Sequence, residues 1–188
     1  MKIRKLFNIL VMALCVVTLS SCHTHKRGSR PAVEVAPAEG HLNLRDAGEM
    51  QKRIIAEALT YVGTPYAYAG ESKKEGVDCS GMVMKVYEDV TGCKLPRNSA
   101  KQAEFCRRLN PKEVAVGDLV FFATGKDPDK VSHVGIVIDD RSFIHSSSAK
   151  GVVVSKIYAP YYQRTFKMFG RVPGVSDDMD IASHTHEK

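Results

Sequence analysis

The hydrophobic pattern changes its period once along the chain, and this change limits the folds that the chain can adopt. Residues 46–63 carry apolar side chains at helical spacing, and a second helical pattern runs from Cys79 to Val90. A third, short helix is predicted after Pro96, in "NSAKQAEFCRRL". From Asp118 onward the apolar runs are short, rich in β-branched and aromatic residues, and separated by turn residues. This order predicts an α+β domain, with N-terminal helices packed on an antiparallel sheet.

The first helical pattern has predicted limits at both ends. Asp46 and Glu49 are spaced as in a capping box, and Gly63 is typical of a helix stop. The apolar side chains of this helix are expected to face the core; they are Met50, Ile54, Ile55, Ala58, Leu59 and Val62.

The second half of the domain contains five predicted strands, so we expect a sheet of five to six strands. The predicted strands are "DLVFFA", "HVGIVID", "SFIHSS", "GVVVSK" and "FKMFGRV".

The N-terminus has the pattern of an export signal. Three basic residues precede an almost wholly apolar run at residues 6–19, which is too short to cross a bilayer comfortably. The run ends in "LSSC", which resembles the lipobox of bacterial lipoproteins. This resemblance implies that residues 1–21 are removed as a lipoprotein signal peptide and that Cys22 receives acyl chains, which anchor the protein to a membrane. An ordinary signal peptide with a coincidental cysteine is the alternative.

The position after the lipidated cysteine is His23 and not Asp. By analogy with enteric bacteria, this favours a location in the outer membrane, facing the periplasm. Residues 22–43 are polar and contain several Pro and Gly residues, so they are expected to form a flexible tether. The folded domain is predicted at residues 44–173, followed by a polar tail at 174–188.

Removal of the signal peptide also changes the charge balance. Three of the 27 Lys and Arg residues leave with it, so 24 remain against 21 Asp and Glu, a net charge of +3. This excess is too small to indicate nucleic-acid binding, and the sequence has no arginine-rich stripe.

Three cysteines remain in the mature chain besides the lipidated Cys22. They are Cys79, Cys93 and Cys106, and an odd number in an exported protein leaves at least one thiol unpaired. Cys93 and Cys106 could form a disulfide in an oxidising compartment, but their sequence contexts favour packing positions.

Cys79 occupies an unusual position for a cysteine. Asp78 is a good helix N-cap, which places Cys79 in the first helical turn, where unpaired backbone N–H groups favour an anion. Such a position is expected to lower the pKa of the thiol. The alternative is a small buried filler, and the flanking polar residues and Gly81 argue against it.

A reactive thiol needs a base within hydrogen-bond reach and a third group that orients the base. The candidate bases are His41, His133 and His145. His133 begins one predicted strand and His145 lies near the end of the next, so the two imidazoles could meet on one face of the sheet. The intervening "DDR" turn interrupts the alternation of side chains, and the spacing of twelve residues therefore does not decide this.

Five blocks in order resemble the signatures of NlpC-type cysteine peptidases, which are papain-like bacterial cell-wall hydrolases. They are "GTPYAYAGESKKEGVDCSGMVMKVY", "KLPRNSAKQ", "VGDLVFF", "SHVGIVID" and "SFIHSSSAKGVVVSK", within roughly residues 45–173. The resemblance implies a papain-like α+β fold and a Cys–His–His triad without cofactor or metal. It also implies cleavage of peptidoglycan stem peptides, usually between γ-D-glutamate and a diamino acid.

The resemblance also implies a role for each matching residue. Cys79 matches the nucleophile, His133 the base and His145 the group that orients the base. Tyr66 matches a tyrosine that helps to hold the oxyanion, and Asp78 and Ser80 match residues that line the substrate cleft. The sequence departs from the family at Ala69, where a glycine is usual.

Three other functions are compatible with the same residues. Cys79, His133 and His145 could instead ligate zinc. The chain could be a non-catalytic lipoprotein that binds the cell wall, or an amidase that cuts between muramic acid and L-alanine. For the peptidase we expect peptidoglycan stem peptides and a membrane as partners, and a monomer.

Overall fold

The computed structural model of the protein describes residues 44–175. The predicted signal peptide, the lipidated Cys22, the tether, and residues 176–188 of the predicted tail lie outside this range. None of the helices within it has the length and apolar character needed to cross a bilayer.

The described chain contains four α-helices, two of which begin close to where the sequence predicted. They are α1 (Glu49–Leu59), α2 (Cys79–Thr91), α3 (Ser99–Phe105) and α4 (Pro160–Thr165). The second and third predicted helices are confirmed by α2 and α3. In α3, the side chain of Asn98 accepts a hydrogen bond from the backbone N–H of Lys101 at 2.9 Å, as its N-cap position predicts.

The strands form one small hairpin and one large antiparallel sheet. The hairpin pairs β1 (Glu71–Ser72) with β2 (Gly76–Val77). The sheet has six strands in the order β3-β8-β4-β5-β6-β7, which confirms the predicted α+β class. Its members are β3 (Arg107–Leu109), β4 (Leu119–Phe122), β5 (His133–Val137), β6 (Ser142–Ser147), β7 (Gly151–Lys156) and β8 (Phe166–Arg171).

Helix α1 begins later than predicted. Gly48 is its N-cap, and the backbone N–H of Gly48 donates to the side chain of Gln51 at 2.8 Å, so Asp46 is not the N-cap. The helix ends at Leu59, and both Leu59 and Val62 are exposed, contrary to the predicted apolar stripe. The apolar residues keep helical spacing beyond Leu59, but the backbone is no longer helical there.

Three elements were not predicted from the sequence: the hairpin, β3 and α4. The segment of β3 was assigned to the end of the third helix, but Arg107 and Leu109 pair with β8 instead. Pairing with a neighbouring strand outweighs local preference at such a site. Helix α4 has six residues, which is too short to show a helical period.

The large sheet is covered on both faces. One face, including Phe121, Ile136 and Ile144, packs against α1 and α2 in the main core. The opposite face, including Phe122 and Phe143, forms a smaller cluster with residues of α4 and the start of β8. Cys106 is buried in the main core and Cys93 packs against it. Both are free thiols, as their predicted packing role requires.

The turn before β1 contains the residue at which the sequence departs from the family pattern. Ala69 has a φ of 57°, in the left-handed region that glycine adopts with least strain. The next residue, Gly70, lies so close to Gly76 and Gly81 that a side chain at Gly70 or Gly81 would collide with backbone oxygen. The turn is therefore held tightly against the start of α2 in spite of the strained alanine.

We expect Ala69→Gly to stabilise the protein by about 0.5–1 kcal/mol. It removes a left-handed penalty of about 1–2 kcal/mol, partly offset by about 0.4–1 kcal/mol of added entropy in the unfolded chain. Urea denaturation would measure the change. Ala149→Gly is the matched control, because Ala149 is also an exposed turn residue but its φ is not positive, and this change should destabilise. A loss of stability in Ala69→Gly would contradict the strain argument.

Candidate active site

Cys79 is the first residue of α2, as the sequence predicted. The side chain of Asp78 accepts a hydrogen bond from the backbone N–H of Gly81 at 2.7 Å and so caps the helix. At the other end, Gly92 closes the helix in a left-handed conformation with a φ of 72°. The thiol is therefore carried on a helix whose two ends are both fixed by local sequence.

His133 and His145 lie on the same face of the sheet, because β5 and β6 pair in a register that aligns Ile136 with Ile144. Continuing this register places His145 opposite Gly135 and diagonal to His133. A side chain at Gly135 would lie 2.5 Å from the Phe143 ring and 2.7 Å from the backbone oxygen of Ile144. The absence of a side chain at Gly135 therefore provides the space in which the two imidazoles meet.

The two imidazoles form the start of a hydrogen-bonded chain. Nε2 of His133 lies 2.8 Å from Nδ1 of His145. Nε2 of His145 lies 2.9 Å from Oγ of Ser155 and 3.1 Å from the hydroxyl of Tyr162. His145 is 1% exposed and stacks on the ring of Phe143, with 4.6 Å between ring centres. The ring of His145 is thus fixed from both sides, and Nδ1 of His133 is left for another partner.

Cys79, His133 and His145 line one cleft of about 200 Å³. All of the other lining side chains carry hydroxyl groups: Tyr66, Thr124, Ser132, Ser146, Ser147, Ser148, Tyr161 and Tyr162. The structure therefore brings the three predicted triad residues together with Tyr66 in a polar, hydroxyl-rich cleft.

Tyr66 is held beside the start of α2 by backbone contacts. It forms an isolated bridge with Val77, whose backbone N–H donates to the carbonyl of Pro65 at 3.1 Å. Burial, followed by the nearby Cys79 and Asp78, raises the pKa of the Tyr66 phenol. The phenol therefore keeps its proton at neutral pH and can donate a hydrogen bond into the cleft.

Asp78 and Ser80 do not line this cleft, and both contact Arg97. The Arg97 guanidinium forms a two-pronged ion pair with the Asp78 carboxylate, at 3.0 and 2.9 Å, and donates to the Ser80 hydroxyl at 3.0 Å. Its Nε also pairs with Glu71 of the hairpin at 2.5 Å. The predicted contact of Asp78 and Ser80 with substrate stays a prediction. In this structure they join the hairpin to the start of α2.

The pKa of Cys79 moves in the direction opposite to the one predicted from its helix position. Burial raises the pKa of the thiol to about 11, although backbone N–H groups, chiefly that of Val134, act to lower it. Removal of water destabilises the thiolate more than these N–H groups stabilise it. A thiol held neutral in the resting site replaces the predicted resting thiolate.

Burial also keeps both histidines neutral. It lowers the pKa of His133 to about 4, and burial together with the neighbouring His133 lowers that of His145 to about 3. Both rings are therefore uncharged at neutral pH, and His133 can accept a proton there.

The zinc alternative does not match the arrangement of these side chains. Among residues 44–175, no group of three or more His, Cys, Asp or Glu is placed to hold a metal ion. His133 and His145 direct nitrogens toward each other, and the second nitrogen of His145 faces two hydroxyls. Three zinc ligands would have to converge on one point instead.

Sequence reasoning did not identify Ser155, Tyr162 or the role of Arg97. Ser155 and Tyr162 lie 10 and 17 residues beyond His145 and reach it through β7 and α4. Nothing in the local sequence of these residues signals their contacts, which arise only when separate elements pack together.

We expect the free energy of unfolding to fall as the pH is lowered from about 6.5 to about 4. The unfolded chain binds protons at ordinary histidines of pKa 6.5, whereas the folded chain holds His133 and His145 neutral to a pKa of about 4 and about 3. Each site contributes a slope of up to about 1.4 kcal/mol per pH unit. Urea denaturation across this range would measure it. The control is His133→Gln with His145→Gln, whose slope should be shallower; equal slopes would contradict the buried neutral rings.

The chain is similar in sequence and in fold to known proteins. Residues 63–171 match the NlpC/P60 family. The chain is 40% identical to "Probable endopeptidase NlpC" of Escherichia coli, over 87% of this chain and 97% of that protein. It is 31% identical to the "Murein DD-endopeptidase MepS/Murein LD-carboxypeptidase" of the same organism, over 82% of this chain and 81% of that one.

A solved NlpC/P60 family protein from Bacillus cereus superposes with a TM-score of 0.61 at 28% identity. The match covers 67% of this chain and 41% of that one, so this chain corresponds to less than half of the solved protein. The matched family spans α2, the sheet and both histidines of the cleft. The chain belongs to the NlpC/P60 family.

Proposed function

We propose that this protein is a peptidoglycan hydrolase, a cysteine endopeptidase that cleaves the stem peptides of the bacterial cell wall. The observation that carries the proposal is the hydrogen bond of 2.8 Å between His133 and His145 in a cleft that also holds Cys79. A thiol, a neutral imidazole and a group that fixes this imidazole are the parts that nucleophilic acyl transfer requires. The family and the names of the Escherichia coli relatives support the same substrate class.

In the first step, Cys79 attacks the carbonyl carbon of the scissile amide. Its proton passes to Nδ1 of His133, and the Sγ–C bond forms as the carbonyl oxygen becomes an oxyanion. The backbone N–H of Cys79 and the phenol of Tyr66 are suited to donate to this oxyanion. His133 then gives its proton to the leaving amine, the C–N bond breaks, and a thioester to Cys79 remains.

In the second step, water hydrolyses the thioester. His133 takes a proton from the water, the new C–O bond forms and the Sγ–C bond breaks. The proton returns to Cys79 as the acid product leaves, which restores the starting state. His145 accepts a hydrogen bond from His133 throughout and holds the ring in one orientation.

The resting charges affect how the nucleophile is generated. The pKa of Cys79 is raised to about 11 and that of His133 is lowered to about 4, so an isolated charge on either is unfavourable. A thiolate and an imidazolium formed together attract each other in the buried site, which offsets the cost of removing both from water. Proton transfer from Cys79 to His133 forms both charges together in this mechanism.

The bond between γ-D-glutamate and a diamino acid is the proposed site of cleavage, on the basis of the family resemblance. A second candidate is the DD bond of the cross-link, because the Escherichia coli relative of 31% identity is named as a murein DD-endopeptidase. Purified muropeptides digested by the protein and analysed by mass spectrometry separate the two. Cutting after γ-D-glutamate leaves the disaccharide with a dipeptide, whereas cutting the DD bond converts cross-linked dimers into monomers.

We expect Cys79→Ala to abolish cleavage and His133→Ala to lower kcat by roughly 10²- to 10⁴-fold, the usual contribution of a general acid–base. His145→Ala should lower kcat by roughly 10- to 100-fold, because His133 loses a buried hydrogen-bond partner. Rates of muropeptide cleavage would measure these effects. Cys93→Ala is the matched control for thiol loss and should retain activity.

Three results would contradict this assignment. Cleavage by Cys79→Ala at the wild-type rate would exclude Cys79 as the nucleophile. Binding of muropeptides without any product from the wild-type protein would favour the non-catalytic wall-binding alternative. Release of intact stem peptides from the glycan would instead identify the amidase.

We also propose that Cys22 carries the lipid anchor and that the protein resides in the outer membrane, facing the periplasm. The lipobox-like "LSSC" and the residue His23 support this proposal. After expression in a Gram-negative host, the wild-type chain should be recovered in the outer-membrane fraction of the lysate. The Cys22→Ser variant should be lost from that fraction. A wild-type chain recovered wholly in the soluble fraction would contradict the anchor.

A further inference from the structure

The buried nitrogen at the far end of the His133–His145 chain faces two hydroxyl groups. Nε2 of His145 lies 2.9 Å from Oγ of Ser155 and 3.1 Å from the hydroxyl of Tyr162. We propose that Ser155 and Tyr162 are a redundant pair of positioning residues, which accept a hydrogen bond from the Nε2–H of His145 and so allow His133 to act as the base. This inference rests on the proposed function, because it assigns a role within the same site.

The direction of proton transfer decides where the proton of His145 must lie. His133 takes the thiol proton at Nδ1, so its Nε2 must already carry a hydrogen and donate it to Nδ1 of His145. A neutral imidazole carries one N–H, and the proton of His145 must therefore be on Nε2. That N–H belongs to a side chain that is 1% exposed, so its acceptor has to come from the protein.

Ser155 and Tyr162 supply this acceptor from different elements of the fold. Ser155 lies in β7, which pairs directly with β6, whereas Tyr162 lies in α4, which packs over the same face of the sheet. Either hydroxyl oxygen can accept a hydrogen bond from Nε2–H, and each hydroxyl can also donate one to an unprotonated Nε2. The hydroxyls therefore permit both tautomers of His145. Proton transfer from the Cys79 thiol to His133 requires the tautomer with the proton on Nε2.

Aromatic packing fixes the orientation of the Tyr162 ring and so the position of its hydroxyl. The Tyr162 ring lies edge-on to Phe143, with 4.8 Å between ring centres, and 5.1 Å from Phe122. Burial raises the pKa of its phenol, so the hydroxyl remains protonated at neutral pH. Phe143 in turn stacks on His145, and the same aromatic cluster therefore holds both partners of the hydrogen bond.

Redundancy gives the proposal a distinctive signature. Removing one hydroxyl leaves the other to accept the hydrogen bond from Nε2–H. Removing both leaves a buried N–H without a partner, and the tautomer with the proton on Nδ1 becomes preferred. His145 would then donate to Nε2 of His133, and His133 would present an N–H to the thiol in place of a lone pair. The base would be lost although every triad residue is present.

The test compares Ser155→Ala, Tyr162→Phe and the double variant in the full-length protein. We expect each single variant to keep kcat within about threefold of wild type, and the double variant to lose roughly 10- to 100-fold, as expected for an unsatisfied buried donor. The KM for muropeptides should change by less than about threefold in all three. The matched control, Ser142→Ala with Tyr158→Phe, removes the same two hydroxyl types nearby without touching His145 and should keep wild-type activity.

Two readouts do not depend on murein cleavage, so they separate failure of this inference from failure of the proposed function. The first is the rate at which iodoacetamide alkylates Cys79, resolved from other cysteines by peptide mapping, which should fall with kcat in the double variant. The second is the ¹⁵N NMR signal of the His145 ring, which should show a smaller fraction of Nε2–H than in wild type. Thermal melting of each variant checks that it is folded.

Ser155→Thr combined with Tyr162→Phe should restore alkylation and kcat to within about threefold of wild type, because it returns one hydroxyl. A folded double variant with the wild-type alkylation rate and tautomer would overturn the proposal. The proposal would also be overturned if the fold-losses in kcat of the two single variants multiplied to give that of the double variant. Such independent contributions contradict redundancy.

Discussion

The hydrogen bond between His133 and His145 is the contact on which the site depends. It requires β5 and β6 to pair in one particular register, since a slip of one residue would turn one ring to the opposite face. It also requires Gly135, because any side chain there would meet Phe143 and the backbone of Ile144. The glycine in "HVG" is thus explained by the space that two buried imidazoles need.

Burial of the site has two opposing effects. It removes water from the chain of hydrogen bonds, which fixes His145 and strengthens each contact. It also disfavours charge, so the pKa of Cys79 is raised to about 11 in spite of its place at the start of a helix. A cysteine in such a site cannot be assumed to rest as a thiolate. In the proposed mechanism, the reactivity of Cys79 depends on the imidazole that receives its proton.

Elements with strong local signals were predicted well. Asp78 and Gly92 mark both ends of α2, and five runs rich in β-branched and aromatic residues became the five longer strands of the sheet. The errors fall where tertiary contacts override or replace a local signal. Strand β3 forms because Arg107–Leu109 pair with β8, and α4 is too short to show a helical period.

Sequence alone indicated the candidate catalytic residues, because Cys79, His133 and His145 lie in blocks that resemble those of a known peptidase family. Tertiary structure decided how these groups meet. The turn between β5 and β6 sets the register, burial sets the protonation state, and the packing of β7 and α4 brings Ser155 and Tyr162 to His145. Contacts between residues distant in sequence depend on how elements pack, and local residue patterns do not encode the distances that packing produces.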